Sequence, residues 1–169
     1  KTYNIMVVGN GKRGSFLTWY LDYIGNNVTL YGKKEVINTL MNSRKNEYVT
    51  FNESIKITYN LEEIKEKDII VISIPSQALY GFMQEIKEFN LTNKTFILCM
   101  KGIDTSRNQR LSEVVSENTD SSNNVVVWIG PGHVQEFYRG IPNCMVIDSK
   151  NNQIKEELVN NLTSNLIRF

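Results

Sequence analysis

Short, unbroken apolar runs alternate along the chain with stretches in which apolar residues recur every three or four positions. Residues 3–8 form the first run, and residues 12–24 follow with Phe16, Leu17, Tyr20, Leu21 and Ile24 on one helical face. Gly25 is placed to close that helix, and Asn26 and Asn27 to turn the chain. The pattern then predicts a strand at 28–31, a helix at 34–41, a polar loop at 42–52, a short strand at 55–59 and a helical turn at 61–66. A strand at 68–74 is stopped by Pro75, and Ser76 is read as the cap of a helix carrying Leu79, Phe82, Met83 and Ile86. Strands at 95–100, 125–129 and 144–147 and helices at 110–118 and 154–162 complete the alternation, with a helical turn at 133–138 and a further strand starting at 166–169.

Strands that alternate with helices pair in parallel through right-handed crossovers. Strands apolar at every position are buried on both faces, as a parallel sheet requires. The expected architecture over residues 1–169 is therefore one doubly wound α/β domain of the Rossmann type, a mainly parallel sheet with helices on both faces. No internal repeat, low-complexity tract or linker interrupts it.

Composition narrows the partners. Apolar residues make up 41% and charged residues 22%, and the net charge of +1 supplies no field for nucleic acid or a membrane surface. There is no basic stripe with an aromatic platform, and no apolar run approaches the roughly 20 residues of a membrane helix. The chain enters a strand at once, unlike a signal peptide, and the missing initiator Met points to a trimmed chain. Cys99 and Cys144 both sit in apolar runs and are expected to be buried thiols in a reducing cytoplasm; with the single His133 they make no metal-ligand set, so no metal is expected.

The candidate chemistry starts at Gly9-Asn10-Gly11-Lys12-Arg13-Gly14, a G-x-G-x-x-G that leaves a strand and opens a helix within a βαβ unit of about thirty residues. Gly9 permits the tight turn, Gly11 lets a pyrophosphate approach the backbone, and Gly14 lets helix and strand pack closely. The helix amino end presents free N–H groups and a positive dipole to phosphates, with Lys12 and Arg13 adding charge beside them. The end of the second strand reads Leu30-Tyr31-Gly32-Lys33-Lys34. An acid there would bind the adenosine ribose of NAD; lysines attract the 2′-phosphate of NADP instead. Lys33 and Lys34 thus favour NADP, and Glu35, one residue into the helix, keeps NAD open.

Four further segments carry a resemblance: Asn42-Ser43-Arg44-Lys45-Asn46-Glu47-Tyr48; Ile74-Pro75-Ser76-Gln77-Ala78-Leu79; Lys101-Gly102-Ile103-Asp104 with Leu111-Ser112-Glu113-Val114; and Gly130-Pro131-Gly132-His133 with Glu136 and Gly140-Ile141-Pro142. In order and spacing the chain resembles, over nearly all its length, the N-terminal domain of NAD(P)-dependent glycerol-3-phosphate dehydrogenases. Gly132 and His133 stand where that family has a serine and an aromatic residue, and Tyr48-Val49-Thr50-Phe51 replaces its Tyr-Leu-Pro-Gly.

The resemblance implies that Lys101 contacts the nicotinamide and the phosphorylated substrate, and that Ile74, Pro75 and Ser76 border the nicotinamide. Gly130, Gly132 and His133 would face the substrate, and Val134 the cofactor. It implies interconversion of dihydroxyacetone phosphate and sn-glycerol 3-phosphate, with a general-base lysine on an all-helical C-terminal domain beyond Phe169, a fragment that binds nucleotide without turnover, and a homodimer of the full-length protein. Two other readings are carried forward. One is a small-substrate reductase of the ketopantoate or hydroxyacid type, kept open by Gly132 and His133; the other is a non-catalytic dinucleotide-sensing domain.

Overall fold

A computed structural model describes residues 1–130, 139 and 143–169. His133, Gly132 and Val134, and the helical turn expected at 133–138, lie outside the described residues. Among those described, seven strands form one sheet: β1 (Asn4–Val8), β2 (Asn27–Tyr31), β3 (Lys56–Thr58), β4 (Ile69–Ile72), β5 (Thr95–Leu98), β8 (Asn124–Ile129) and β10 (Val146–Ser149). Their spatial order is β10-β8-β5-β4-β1-β2-β3, all parallel except β10, which runs antiparallel to β8. The chain steps outward from β1 to β3 on one side, then from β4 to β10 on the other. β1 therefore lies at the topological switch point, where such sheets open a crevice.

The period-two pattern inside each apolar strand assigns the two faces. Ile5, Val7, Ile69, Val71 and Ile97 join one core with α1 (Lys12–Tyr23), α2 (Lys34–Ser43) and α5 (Asn152–Leu162). Met6, Val8, Ile70, Ile72, Phe96 and Leu98 join the other with α3 (Leu79–Ile86) and α4 (Leu111–Glu117). Helix α1 ends as expected: the Gly25 N–H donates to the Asp22 carbonyl at 2.9 Å and the Asn26 N–H to Leu21 at 3.1 Å, the Schellman pattern. Asn26 then receives the Tyr3 N–H on its Oδ1 at 2.9 Å, so the turn also fastens the start of β1.

Several local expectations are corrected. Residues 103–110 hold a small hairpin, β6 (Ile103–Asp104) against β7 (Gln109–Arg110), too short to leave a periodic signal. The strand expected at 144–147 is split: β9 (Asn143–Cys144) pairs with β11 (Ile167–Arg168), and after the buried Met145 the chain joins the main sheet as β10. The strand starting at 166–169 is reduced to the two residues of β11, with Leu166 and Ile167 buried. Ser76 caps nothing with its side chain. It begins a 3₁₀ turn, Ser76–Ala78, that leads into α3. Cys144 is exposed and Cys99 only partly buried at the residue level, although burial of the Cys99 sulfur pushes its thiol up to about 12.

Two buried tyrosines couple the first and last elements. Tyr3 donates to Glu157 at 2.8 Å and accepts from Asn161 at 2.8 Å. Tyr20 donates to the Leu162 carbonyl at 2.6 Å. Burial, reinforced for Tyr3 by its bond to Glu157, pushes both phenols up to about 12. The folded chain therefore keeps two protons that the unfolded chain releases above pH 10. Stability is expected to be fully present below pH 10 and to fall as pH rises towards 12. Urea titrations at pH 9 and pH 11 measure the drop, and Tyr20→Phe should flatten part of it. Equal midpoints at the two pH values would show the phenols ionise freely in the fold.

Candidate functional site

In-register pairing brings the strand ends to one line. Val8 sits beside Tyr31 and Ile72, Ile72 beside Leu98, and Leu98 beside Val127. The loops that follow therefore emerge along a single edge: Gly9 to Gly14, Gly32 and Lys33, Ser73 to Pro75, Cys99 to Lys101, and Gly130. These described loops come from distant parts of the chain and share one edge because parallel crossovers return every strand in the same direction.

The glycine loop has a different physical demand at each glycine. Gly9 has φ +110°, and a Cβ there would lie 2.0 Å from the Ser73 carbonyl oxygen. A Cβ on Gly14 would lie 2.1 Å from the Gly9 carbonyl oxygen, so α1 can seat against the loop only with glycine at that point. Gly11 is the N-cap of α1, with φ −73° and ψ −166°, and a Cβ on it would meet nothing within 4 Å. No side chain caps α1 and no acid lies in its first turn. The first helical bond is Ser15 N–H to Gly11 carbonyl, 2.9 Å, which leaves the N–H groups ahead of it and the positive end of the helix dipole facing open space beside Gly11.

Two residues with no role assigned from the sequence hold this loop in place. The Ser15 hydroxyl donates to the Asn10 carbonyl at 2.8 Å and accepts from the Asn46 amide at 2.9 Å. The Asn46 Oδ1 in turn accepts the N–H groups of Tyr48 and Val49 at 2.9 and 3.0 Å. The 42–52 segment is thus a brace for the glycine loop. Asn46 lies in a polar stretch with no periodicity, so only its place in the quoted segment marked it.

Beside the loop opens a cleft of about 540 Å³. It is lined by Gly9, Asn10, Tyr31, Lys33, Ile74 and Pro75, all marked in the sequence, and by Val36, Ala78, Gly81, Phe82 and Glu85, which were not. A larger hollow of about 790 Å³ beside Trp19 and Arg44 contains none of the residues marked for nucleotide binding. Lys34 does not line the cleft; its ammonium lies 5.5 Å from the centre of the Tyr59 ring. Glu35 is exposed and absent from the lining.

The remaining marked residues that are described lie outside the lining of this cleft. Lys12 is exposed at the start of α1. Arg13 donates to the Gly130 carbonyl at 2.8 Å. It thereby ties the start of α1 to the end of β8. Lys101 is exposed just past β5, on the same edge but outside the cleft lining, as is Ser76. The hairpin that follows Lys101 is anchored to α3, with the Arg107 guanidinium 3.4 Å from the centre of the Tyr80 ring and paired to Asp104 at 3.1 Å.

A dinucleotide fits these groups. An open N-cap glycine, an uncapped helix amino end and a half-apolar cleft at the switch point are what a pyrophosphate and an adenosine require. Among the described residues no group of three or more His, Cys, Asp or Glu side chains could hold a metal ion, and no helix is long and apolar enough to cross a membrane.

Comparison with known proteins agrees. The chain is 34% identical over 153 residues to a glycerol-3-phosphate dehydrogenase of the NAD(P)+ type from Thermoanaerobacter sp. (strain X514), covering 87% of this chain and 46% of that one. Its counterpart from Fusobacterium nucleatum is 29% identical over 163 residues, 92% of this chain and 49% of that one. The chain thus spans about half the length of the curated relatives it matches. The crystal structure of glycerol-3-phosphate dehydrogenase from Coxiella burnetii superposes with a TM-score of 0.87 at 22% identity, over 99% of this chain and 53% of that one, a likeness of fold. Residues 4–155 match the family described as the NAD-dependent glycerol-3-phosphate dehydrogenase N-terminus. With nearly the whole chain inside that match, it belongs to the NAD-dependent glycerol-3-phosphate dehydrogenase family and matches its N-terminal part.

Proposed function

We propose that residues 1–169 are the part of a longer dehydrogenase that binds and orients NADP, or NAD less tightly, for hydride exchange between dihydroxyacetone phosphate and sn-glycerol 3-phosphate. The observation that carries this is the glycine loop: two glycines that close packing demands flank a third that packing does not demand, at the amino end of an uncapped helix. The bound cofactor would supply the hydride. The chain's own residues would hold the pyrophosphate on the α1 amino end, seat the adenosine in the part of the cleft at Tyr31 and Lys33, and lead the nicotinamide past Ile74, Pro75 and Ser76 towards Gly130 and Lys101. Lys101, on the exposed side of that edge, would attract the substrate phosphate or polarise its carbonyl. By the same reading Gly130, with Gly132 and His133 beyond it, would border the substrate, Val134 would touch the cofactor, and the proton on oxygen would be handled by a lysine of the C-terminal half.

The preference for NADP rests on Lys33. It lines the cleft at the end of β2, where no acid stands to bind the ribose hydroxyls, while Lys34 is turned to Tyr59. Calorimetric titration of this chain with NADPH and with NADH tests it. NADPH should bind more tightly, and Lys33→Glu should weaken NADPH by about 10- to 100-fold, roughly 1.4–2.7 kcal/mol, with little change for NADH. Equal affinities, or tighter NADH, would overturn the preference.

A further inference from the structure

The cleft contains one acid that neither the glycine loop nor the strand end supplies. Glu85 lies on α3, one helical turn beyond Gly81, and both line the cleft with Phe82 on that side and Tyr31, Lys33 and Val36 on the other. Gly81 occupies the interior of a helix, where glycine weakens the helix. Packing does not require it, because a Cβ there would meet nothing within 4 Å. Its effect is to leave the cleft wall open at that point, beside the other apolar lining residues Ala78, Phe82 and Val36. Residues four apart on a helix share a face and are separated by about 6 Å along the axis, so a planar base resting over Gly81 has one edge within reach of Glu85.

Among the described residues Glu85 makes no hydrogen bond or ion pair, and it is the only carboxylate of theirs in the lining of this cleft. Its charge is close enough to Tyr31 to add to the effect of burial in raising that phenol's pKa, so Tyr31 stays protonated beside it. A carboxylate only accepts hydrogen bonds. At the end of an apolar slot it selects a ring edge that donates: on the edge formed by the six-position and N7 adenine presents an exocyclic amino group, whereas hypoxanthine and guanine present only acceptors there, their N1–H lying on the other side of the six-position.

We propose that Glu85 is a specificity residue for the base of the dinucleotide, its carboxylate accepting a hydrogen bond from the exocyclic amino group of an adenine that lies over Gly81. This rests on the cofactor reading above. It is tested by titrating the chain with NADPH and with the reduced hypoxanthine analogue of NADPH. The natural chain should bind NADPH about tenfold more tightly. Glu85→Gln, whose amide both accepts and donates, should bring the two within about twofold of each other. Gly81→Leu should raise the melting temperature, since leucine favours a helix, yet weaken both nucleotides at least tenfold by filling the slot. If the natural chain binds both nucleotides alike, if Glu85→Gln keeps the full preference, or if Gly81→Leu binds normally, the assignment of the base falls while the cofactor reading stands. Failure to bind either nucleotide would overturn both.

Discussion

Gly11→Ala should fold normally and lose its nucleotide, whereas Gly14→Ala should lose stability as well. At Gly11 the backbone angles suit any L-residue and the added methyl meets no protein atom within 4 Å. Alanine is a poorer N-cap than glycine, by about 0.5–1 kcal/mol, but it offsets that by restricting the unfolded chain by about 0.4–1 kcal/mol. Net stability should therefore change by less than about 0.5 kcal/mol. The methyl does, however, occupy the approach of a pyrophosphate to the α1 amino end. Affinity for NADPH should fall about a hundredfold or more, roughly 2.7 kcal/mol. At Gly14 the new Cβ lies 2.1 Å from a backbone oxygen that has no rotamer by which to escape. Helix and loop must separate, at a cost of about 1–3 kcal/mol, and the binding geometry goes with them. Urea unfolding and calorimetry on both variants separate the two effects. Wild-type affinity in Gly11→Ala would remove the loop as the pyrophosphate seat.

Trp128→Ala should be the most destabilising single truncation. Trp128 is the largest side chain with no solvent exposure. Its indole N–H donates to the Met145 sulfur at 2.9 Å, and its ring meets Tyr20 edge-on at 6.4 Å and Phe169 at 5.4 Å. One residue thus joins β8, the segment entering β10, α1 and the end of β11. Truncating a buried tryptophan costs about 3–5 kcal/mol, a large share of the 5–15 kcal/mol typical of a domain. The urea midpoint should fall accordingly, with Trp128→Phe intermediate. A loss below about 1 kcal/mol would mean that the neighbouring rings close over the gap. Because Gly130 follows two residues later and receives the Arg13 bond, the variant should also weaken nucleotide binding beyond its effect on folding.

The element pattern was legible in the chain because it depends on neighbours. Alternation of Ile5, Met6, Val7 and Val8 between two cores, and the spacing of Phe16, Leu17, Tyr20 and Leu21, are consequences of strand and helix periods acting over a few residues. The glycine loop was legible for the same reason: the positive φ of Gly9 and the contact of Gly14 with the Gly9 carbonyl are local demands, apart from the Ser73 carbonyl that also crowds Gly9. Fold class followed from the alternation of strand and helix, since a parallel sheet is the arrangement such an order can close.

What the sequence left undecided involves pairs far apart in the chain. Arg13 reads only as a charge beside the glycine loop until its bond to Gly130, 117 residues away, is seen. Cys144 sits in an apolar run like Cys99, yet the break at Met145 leaves it on a two-stranded ribbon with its side chain exposed. Asn46 becomes a brace only when α2 returns its loop to Ser15, and Glu85 becomes a cleft residue only when α3 lies beside the end of β2. The sequence by itself determined the strands, the helices, the sheet class and the phosphate-binding turn, because these are set by local periodicity and backbone freedom. The tertiary structure alone decided which charges face the cleft, because burial, distance and hydrogen-bond partner are properties of the packed chain and not of any one segment.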